Sequence, residues 1–368
     1  MAFDVTPLIG PRTGVGHVTA ALLSHLAARP DVRLVAYAVT RDRSHATSLT
    51  LPPGVALRVT GVPARALFTA WSRAPAPRID RWTGPVDVVH GTNFVVPPAH
   101  AGGVVTVHDV AFARDPHLVT AASRRYTGLL RAAIRRGAAV HVFSEAVGDE
   151  VVTLLDCPSE LVVCIRPGIA DTGGGDPGRG RTIAGSDRFV LALGTVEPRK
   201  NLPRLVEAFD RVAADDPALR LVVAGPDGWG SAAFADAVAA ARHGDRVVRL
   251  GYVSDADRRD LLAGARVLAY PSLDEGFGHP PLEAMRAGTP VVAAAAGSLP
   301  EVLGDAAVLC DPQSVGDLAD ALFTVCDDDD VRARLITAGL ARAQRWSWDA
   351  AATGLTALYR RVAAAYGT

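Results

Sequence analysis

Short runs of Val, Ile, Leu and Ala alternate along this chain with longer stretches in which apolar residues recur every three or four positions. In the first half the short runs are MAFDVTPLI, VRLVAYAV, VDVVHG, GVVTVHD, AAVHVF and LVVCI. Segments such as VTAALLSHLAA and RRYTGLLRAAIRR lie between them with helical spacing. The second half repeats the alternation with RFVLALG, LRLVVAG, DRVVRLG, ARVLAYPS and TPVVAAA. Runs that are apolar at nearly every position fit strands covered on both faces, and strand–helix alternation predicts a parallel sheet between helical layers. The theme occurs twice, so the pattern predicts an α/β protein of two doubly wound, Rossmann-like domains.

A chain of 368 residues also exceeds what one ordinary core organises. The division is expected near ADTGGGDPGRGRTIAGSDR, which has almost no large apolar residue and reads as linker. The expected parts are a first domain over 1–170, a linker over 171–188 and a second domain over 189–347. The last helical stretch, about 348–368, is expected to cross back onto the first domain. The DDDD run at 327–330 reads as a solvated helix junction. Open α/β sheets bind ligands outside the C-terminal ends of their strands, so two such domains are expected to face a central cleft.

Composition narrows the partners. Hydrophobic residues make up 49% and charged residues 21%, and the net charge of −1 supplies no global field for nucleic acid. No apolar run reaches the roughly 18–20 residues of a membrane span. MAFDVTPLIG has neither a basic start nor a long apolar stretch, so a cytoplasmic place is expected. Cys157, Cys164, Cys310 and Cys326 lack metal-ligand spacing and read as buried thiols. Of the 38 basic residues only Lys200 is lysine. Against that arginine bias, one compact ammonium points to a role a planar guanidinium does not fill.

Three stretches carry chemistry, each just after a strand. GPRTGVGHV (10–18) opens a helix, and Gly14 and Gly16 allow backbone N–H groups to approach an anion. GTVEPRKN (194–201) sets Arg199 and Lys200 side by side before a helix that Asn201 is expected to cap, an arrangement suited to a diphosphate. AYPSLDEGFGHPPLEAMRAGTPVV (269–292) reads as strand, glycine loop, helix, strand. Its Glu275 lies in the loop and Glu283 on the helix that Pro280 and Pro281 start. Two ionised carboxylates so placed accept from vicinal hydroxyls, while amides of Phe277 and Gly278 meet hydroxyls or phosphate oxygens. Asp255 and Asp257 form a D-x-D string, but at a helix start, where acidic residues favour the dipole; no metal site is expected.

The E-x7-E stretch EGFGHPPLE, the EPRKN loop, the HDV after a strand and the G-x-G loop stand in the order found in glycosyltransferase family 4, and nearly the whole chain resembles that family. The resemblance implies the GT-B type of fold and retaining transfer of a sugar from a nucleoside-diphosphate sugar (UDP-, GDP- or another) to a hydroxyl acceptor, without metal or other cofactor. It implies that Glu275 holds a donor-sugar hydroxyl and Glu283 the ribose. Arg199, Lys200 and the amides near Gly14 and Gly16 would take the diphosphate, and His108 would lie beside the donor sugar. Gly194, Thr195, Gly276, Phe277, Gly278 and Leu282 would complete the donor site, with Tyr252 and Val253 at the base. The sequence departs from the family at His17 and Val18, at Gly194-Thr195 and at His279, which bears on the identity of the donor sugar. A nucleotide-sugar epimerase and a non-catalytic nucleotide-sugar-binding protein are the alternatives.

The acceptor is expected at the first domain, on GTNFVVPP (91–98) and AFARDPH (111–117), with Asn93, Phe94 and Phe112 as contacts. In 123–136, Arg124, Arg131 and Arg135 share one side of a helix and Tyr126, Leu129, Leu130 and Ile134 the other. Such a helix suits the inner face of a membrane bearing a lipid-linked acceptor, or an ordinary surface with its apolar side on the sheet; the second is the expected case.

Overall fold

The structure is a computed structural model that describes residues 1–10, 13–114, 123–170 and 174–367. Pro11 and Arg12 of the glycine loop, Asp115–His117 of the expected acceptor loop, Asp171–Gly173 of the expected linker and Thr368 lie outside the described residues. The chain forms two compact units, Met1–Gly168 with Ser347–Thr368, and Ile169–Trp346.

The first unit holds a seven-stranded sheet: β1 (Ala2–Asp4), β2 (Val35–Ala38), β3 (Ala56–Val59), β4 (Val88–Gly91), β5 (Gly102–Val107), β6 (Ala139–Val142) and β7 (Val162–Cys164). The order is β3-β2-β1-β4-β5-β6-β7 and every pairing is parallel. The second unit holds β8 (Phe189–Leu193), β9 (Arg220–Ala224), β10 (Val247–Gly251), β11 (Val267–Tyr270), β12 (Val291–Ala294) and β13 (Val308–Cys310), in the order β10-β9-β8-β11-β12-β13, again all parallel. Each unit therefore has one switch point, where connections leave in opposite directions: between β1 and β4 in the first, between β8 and β11 in the second. Loops diverge there and open a crevice at the C-terminal strand ends.

The central strands are buried on both faces, as their unbroken apolar composition requires. The first strand is shorter than its apolar run, because Val5 to Leu8 turn into a 3-10 helix at Pro7. Two strands, β3 and β13, have no counterpart in the sequence reading. Both lie at sheet edges, where β3 shows only an alternation of exposed and half-exposed positions.

The glycine- and aspartate-rich stretch corrects the expected linker. Residues Pro177–Ala184 form a helix, capped by the Asp176 side chain on the Gly178 and Arg179 amides and ended by Gly185 in the left-handed region. The helix lies against the Asp255–Gly264 helix, so closely that a Cβ on Gly180 would sit 2.0 Å from the Asp260 carbonyl oxygen. Arg179 holds Asp257 and Asp260 at 2.6 and 2.8 Å. A helix that buries only glycine and alanine carries no large apolar residue to announce it. Asp327 ends one helix and Asp328 caps the next, Asp329–Ala343.

The Trp348–Tyr366 helix packs on the Gly14–Ala27 helix and on β4 and β5. A buried relay ties it in. His141 Nε2 lies 2.9 Å from the Ile165 carbonyl oxygen and must donate to it. Its Nδ1 then accepts from Thr106 Oγ1 at 2.9 Å, Thr106 accepts from His90 Nε2 at 2.7 Å, and His90 Nδ1 accepts from the Tyr359 hydroxyl at 2.7 Å. One carbonyl thus sets both histidine tautomers, each ring neutral.

Candidate active site

In the second unit, β8 ends at Leu193, passes Gly194 and Thr195, and enters the 3-10 turn Pro198–Lys200. Asn201 follows at φ 57° and starts the Leu202–Val212 helix. Its side chain does not cap that helix, contrary to the sequence expectation. The amide nitrogen instead donates to the carbonyls of Pro271 and Pro312, at 3.1 and 2.9 Å, and so joins the turn to the loop after β11.

That loop brings Glu275 to the turn. Lys200 Nζ lies 2.6 Å from Glu275 Oε1 and donates to the Tyr270 hydroxyl at 2.7 Å. Arg199 Nη1 lies 2.9 Å from Glu275 Oε2 and donates to the Asp274 carbonyl at 2.7 Å, and Nη2 meets Glu197 Oε1 at 2.8 Å. Burial by itself would raise the Glu275 carboxyl, but the charges of Lys200 and Arg199 outweigh it and hold the group at about 2. Burial lowers the Lys200 ammonium, opposed by Glu275. Burial also raises the Tyr270 hydroxyl well above its ordinary value. Two cations and two carboxylates thus balance in a small volume, at the switch point of this sheet.

The loop after β12 closes the back of this cluster. The Ser298 amide donates to the Glu275 carbonyl at 2.9 Å. Gly297 has φ +54°, and a Cβ there would lie 2.5 Å from the Glu275 carbonyl oxygen, so only glycine fits.

Glu283 sits on the His279–Arg286 helix, buried and paired with Arg258 of the Asp255–Gly264 helix. Burial raises its carboxyl, and Arg258 opposes the shift. The two glutamates of E-x7-E therefore hold separate partners, Glu275 the Arg199–Lys200 pair and Glu283 Arg258. Between them Gly276, Phe277 and Gly278 are buried, and Leu282 is fully so. Phe277 meets Trp346 edge-on at 5.3 Å. Tyr252, just past β10, is 76% exposed, and Val253 is half-buried.

In the first unit, Gly14 opens the Gly14–Ala27 helix and Gly16 is buried in its first turn. The loop after β4 folds back on β5: the Phe94 amide donates to the Thr106 carbonyl at 3.0 Å, with Phe94 at φ 60°. His108 Nε2 lies 2.9 Å from the Thr92 carbonyl and donates to it, which leaves Nδ1 a lone pair. Burial pushes His108 down to about 4 against that hydrogen bond, so the ring is neutral at pH 7. Phe94 meets His108 at 5.6 Å, Phe112 at 5.3 Å and Tyr126 at 4.9 Å. The structure thus gathers His108, Phe94 and Phe112 into one aromatic cluster, with Asn93 lining an adjacent cavity.

Glu197, Tyr270, Arg258, Gly297 and Ser298 escaped the sequence reading. EPRKN does contain Glu197, and the other four owe their places to contacts between distant segments. Among the described residues no three His, Cys, Asp or Glu side chains converge as a metal-ligand set, and no helix is long and apolar enough to cross a membrane.

Comparison with known proteins agrees with this architecture. Residues 179–342 match the family described as "Glycosyl transferases group 1", and residues 12–172 match "Glycosyltransferase Family 4". The chain is 30% identical over 281 residues to O-antigen chain mannosyltransferase B of Escherichia coli, covering 74% of each. It is 34% identical over 248 residues to a D-inositol 3-phosphate glycosyltransferase of Saccharomonospora viridis, where the match spans 61% of this chain and 56% of that one. Among solved structures, Anabaena HepE in complex with UDP and glucose superposes with a TM-score of 0.74 at 19% identity, over 98% of this chain and 99% of that one. The fold is of the GT-B type, and the chain belongs to glycosyltransferase family 4.

Proposed function

We propose that the chain transfers a sugar from a nucleoside-diphosphate sugar to a hydroxyl acceptor with retention at the anomeric carbon and without a metal ion. The observation that carries this reading is the buried Arg199–Lys200–Glu275 cluster at the β8/β11 switch point. The charges there already balance, so a diphosphate binds by competing with Glu275 for the two cations. That exchange frees a Glu275 oxygen to accept from a hydroxyl of the donor sugar. Cleavage of the anomeric C–O bond then adds negative charge to a phosphate group already facing a guanidinium and an ammonium, which need no reorganisation at that moment. Glu283 accepts from the ribose once Arg258 yields one of its oxygens, and Tyr252 stands over the base. His108 offers a neutral Nδ1 to a sugar hydroxyl. The leaving phosphate takes the acceptor's proton, so no protein carboxylate becomes covalently bound.

The complexes of HepE with UDP and glucose, and with UDP-glucose, support the donor class by analogy, and the mannosyltransferase relative supports a hexose as the group moved. The experiment is a panel of UDP- and GDP-sugars incubated with and without bacterial glycolipid and metabolite extract, read by mass spectrometry, with and without chelator. The expected result is a glycosylated product formed only with acceptor, insensitive to chelator and of the donor's anomeric configuration. An altered sugar nucleotide formed without acceptor would replace this reading with epimerisation. Turnover abolished by chelator and restored by magnesium would overturn metal independence.

A further inference from the structure

The switch point of the first sheet, between β1 and β4, opens into a cavity of about 250 Å³, and the described residues that line it belong to the first unit. Asp4, the last residue of β1, forms part of its wall and is only 6% exposed. Its Oδ1 takes both the amide and the hydroxyl of Thr6. No donor among the described residues reaches Oδ2. Asn93, two residues past β4, reaches the same cavity, and its buried Oδ1 has no hydrogen-bond partner. Phe68 and Tyr126 add aromatic walls, with the Arg125 guanidinium 5.0 and 5.8 Å from their ring centres.

Buried acceptors without donors are costly, and the cost is removed by a ligand that brings hydroxyl protons. Asn93 Oδ1 is such an acceptor, and together with Asp4 Oδ2, which no donor takes among the described residues, and the aromatic faces beside them it asks for a compact molecule with several hydroxyls and an apolar C–H face. We propose that this cavity binds a hydroxylated ring of the acceptor, a pyranose or cyclitol, through hydroxyls donated to Asp4 Oδ2 and Asn93 Oδ1, with Phe68 and Tyr126 against its C–H face. The volume suits one such ring rather than a longer glycan: pockets for larger drug-sized ligands start at about 300 Å³. Asp4 is a recognition residue in this scheme, not a base. Burial raises its carboxyl to about 6 against the Thr6 hydrogen bonds, and hydroxyl donation by the ligand favours the ionised form. Ring affinity therefore weakens as pH falls below about 6, a dependence that a carboxylate serving only to hold the Thr6 turn would not produce.

The assignment of this ring to the acceptor rests on the proposed transferase reading; the binding itself is tested without it. Saturation-transfer NMR of the full chain with methyl α-mannopyranoside, myo-inositol and, as a control, cyclohexanol measures the cavity. UDP and GDP affinities measured alongside report on the second unit. At least one polyol should bind, cyclohexanol should not, and binding should weaken between pH 7 and 5. Asp4→Asn keeps an oxygen for Thr6 but turns Oδ2 into a donor, and Asn93→Leu removes the other acceptor. Each should weaken the polyol about tenfold or more while nucleotide affinity stays as in the wild type. Loss of polyol binding in Asn93→Leu alone sustains the proposal if Asp4→Asn fails to fold. It is overturned if neither polyol binds, if cyclohexanol binds as well as the polyols, or if the folded variants all keep wild-type affinity. Failure of UDP and GDP to bind the wild type would strike the transferase reading and leave the cavity result standing.

Discussion

Glu275 is the hinge of the Arg199–Lys200 cluster, because the proposed reaction asks two purposes of the same oxygens. Without a ligand it is the counter-ion of Lys200 and Arg199, and in the proposed complex it must release them. Glu275→Gln therefore leaves two cations with one fewer carboxylate in a buried place, a loss of about 3–5 kcal/mol for a pair broken on one side. Thermal shift should show a lower melting temperature for this variant. Added UDP or GDP should raise that temperature at least as much as in the wild type, since the cations are no longer engaged. A variant that melts lower and no longer responds to either nucleotide would mean that Glu275, rather than the cations, organises the phosphate site. Lys200 gives the complementary case. Its ammonium fits between the Tyr270 hydroxyl and Glu275 at 2.7 and 2.6 Å. Lys200→Ala should cost about a hundredfold in kcat with far less change in the donor KM, because in the proposed reaction the charge it faces grows in the transition state. Lys200→Arg should recover only part of this, a planar fork being unable to take that compact position. Near-normal kcat for Lys200→Ala at saturating donor would reduce Lys200 to a structural partner. The isolation of this lysine among arginines and its place beside Arg199 were visible in the sequence. Asp4, Arg258 and Ser298 were not, because each acquires its meaning from a segment far away in the chain.

At the scale of elements, the strands that could be read carry a largely apolar run, whether buried on both faces like β4 and β8 or half-buried at a sheet edge like β7 and β10. The edge strand β3, exposed at Ala56 and interrupted by Arg58, and the Pro177–Ala184 helix could not, for they bury too little apolar surface to leave a pattern. The signs that remained for the helix were its ends, Asp176-Pro177 and Gly185, and the many glycines around them hid those signs. The Tyr126–Arg135 helix shows the opposite situation, a pattern with two readings. Its apolar side, Leu129, Leu130, Ala133 and Ile134, lies in the core of the first unit. Arg131 is engaged with Asp156 and the Leu154 carbonyl at 3.2 Å each. A helix can put one apolar face into a sheet or into lipid, not both at once. Anionic vesicles should therefore not retain the protein at physiological salt. Salt-sensitive pelleting that disappears when Arg124, Arg131 and Arg135 become glutamine would show that charge alone suffices for membrane contact.

For the molecule as a whole, the two units respond to acid over different pH ranges. The first buries three histidines in neutral form. Burial lowers His108 and His141 to about 4 and His90 well below its ordinary value, the tautomers of the last two being locked by the relay to Ile165. An unfolded chain protonates these rings near 6.5, so the stability they contribute is complete above that pH and is lost as pH falls toward 4. Asp4 works the other way: raised to about 6, it takes up a proton in the folded state that the unfolded chain does not bind until near 3.8. Between about 6 and 4 the unfolded unit thus binds about three protons against one, and stability should fall by roughly 2.7 kcal/mol per pH unit. In the second unit the lowered carboxylate Glu275, at about 2, loses its contribution only below 4.5, and raised Glu283 opposes even that. Acid should therefore open the first unit first. Hydrogen exchange between pH 7 and 5, corrected for intrinsic rates, should show protection falling in β4, β5, β6 and the Trp348–Tyr366 helix while β8 and β11 keep theirs. Tyr359→Phe removes the hydroxyl at the head of the relay and should lower protection at neutral pH without changing the acid slope, since both rings stay buried. Earlier loss of protection in the second unit would overturn this order of opening, and a slope set by Tyr359 would mean that the relay, not the burial of neutral imidazoles, governs how the first unit responds to acid.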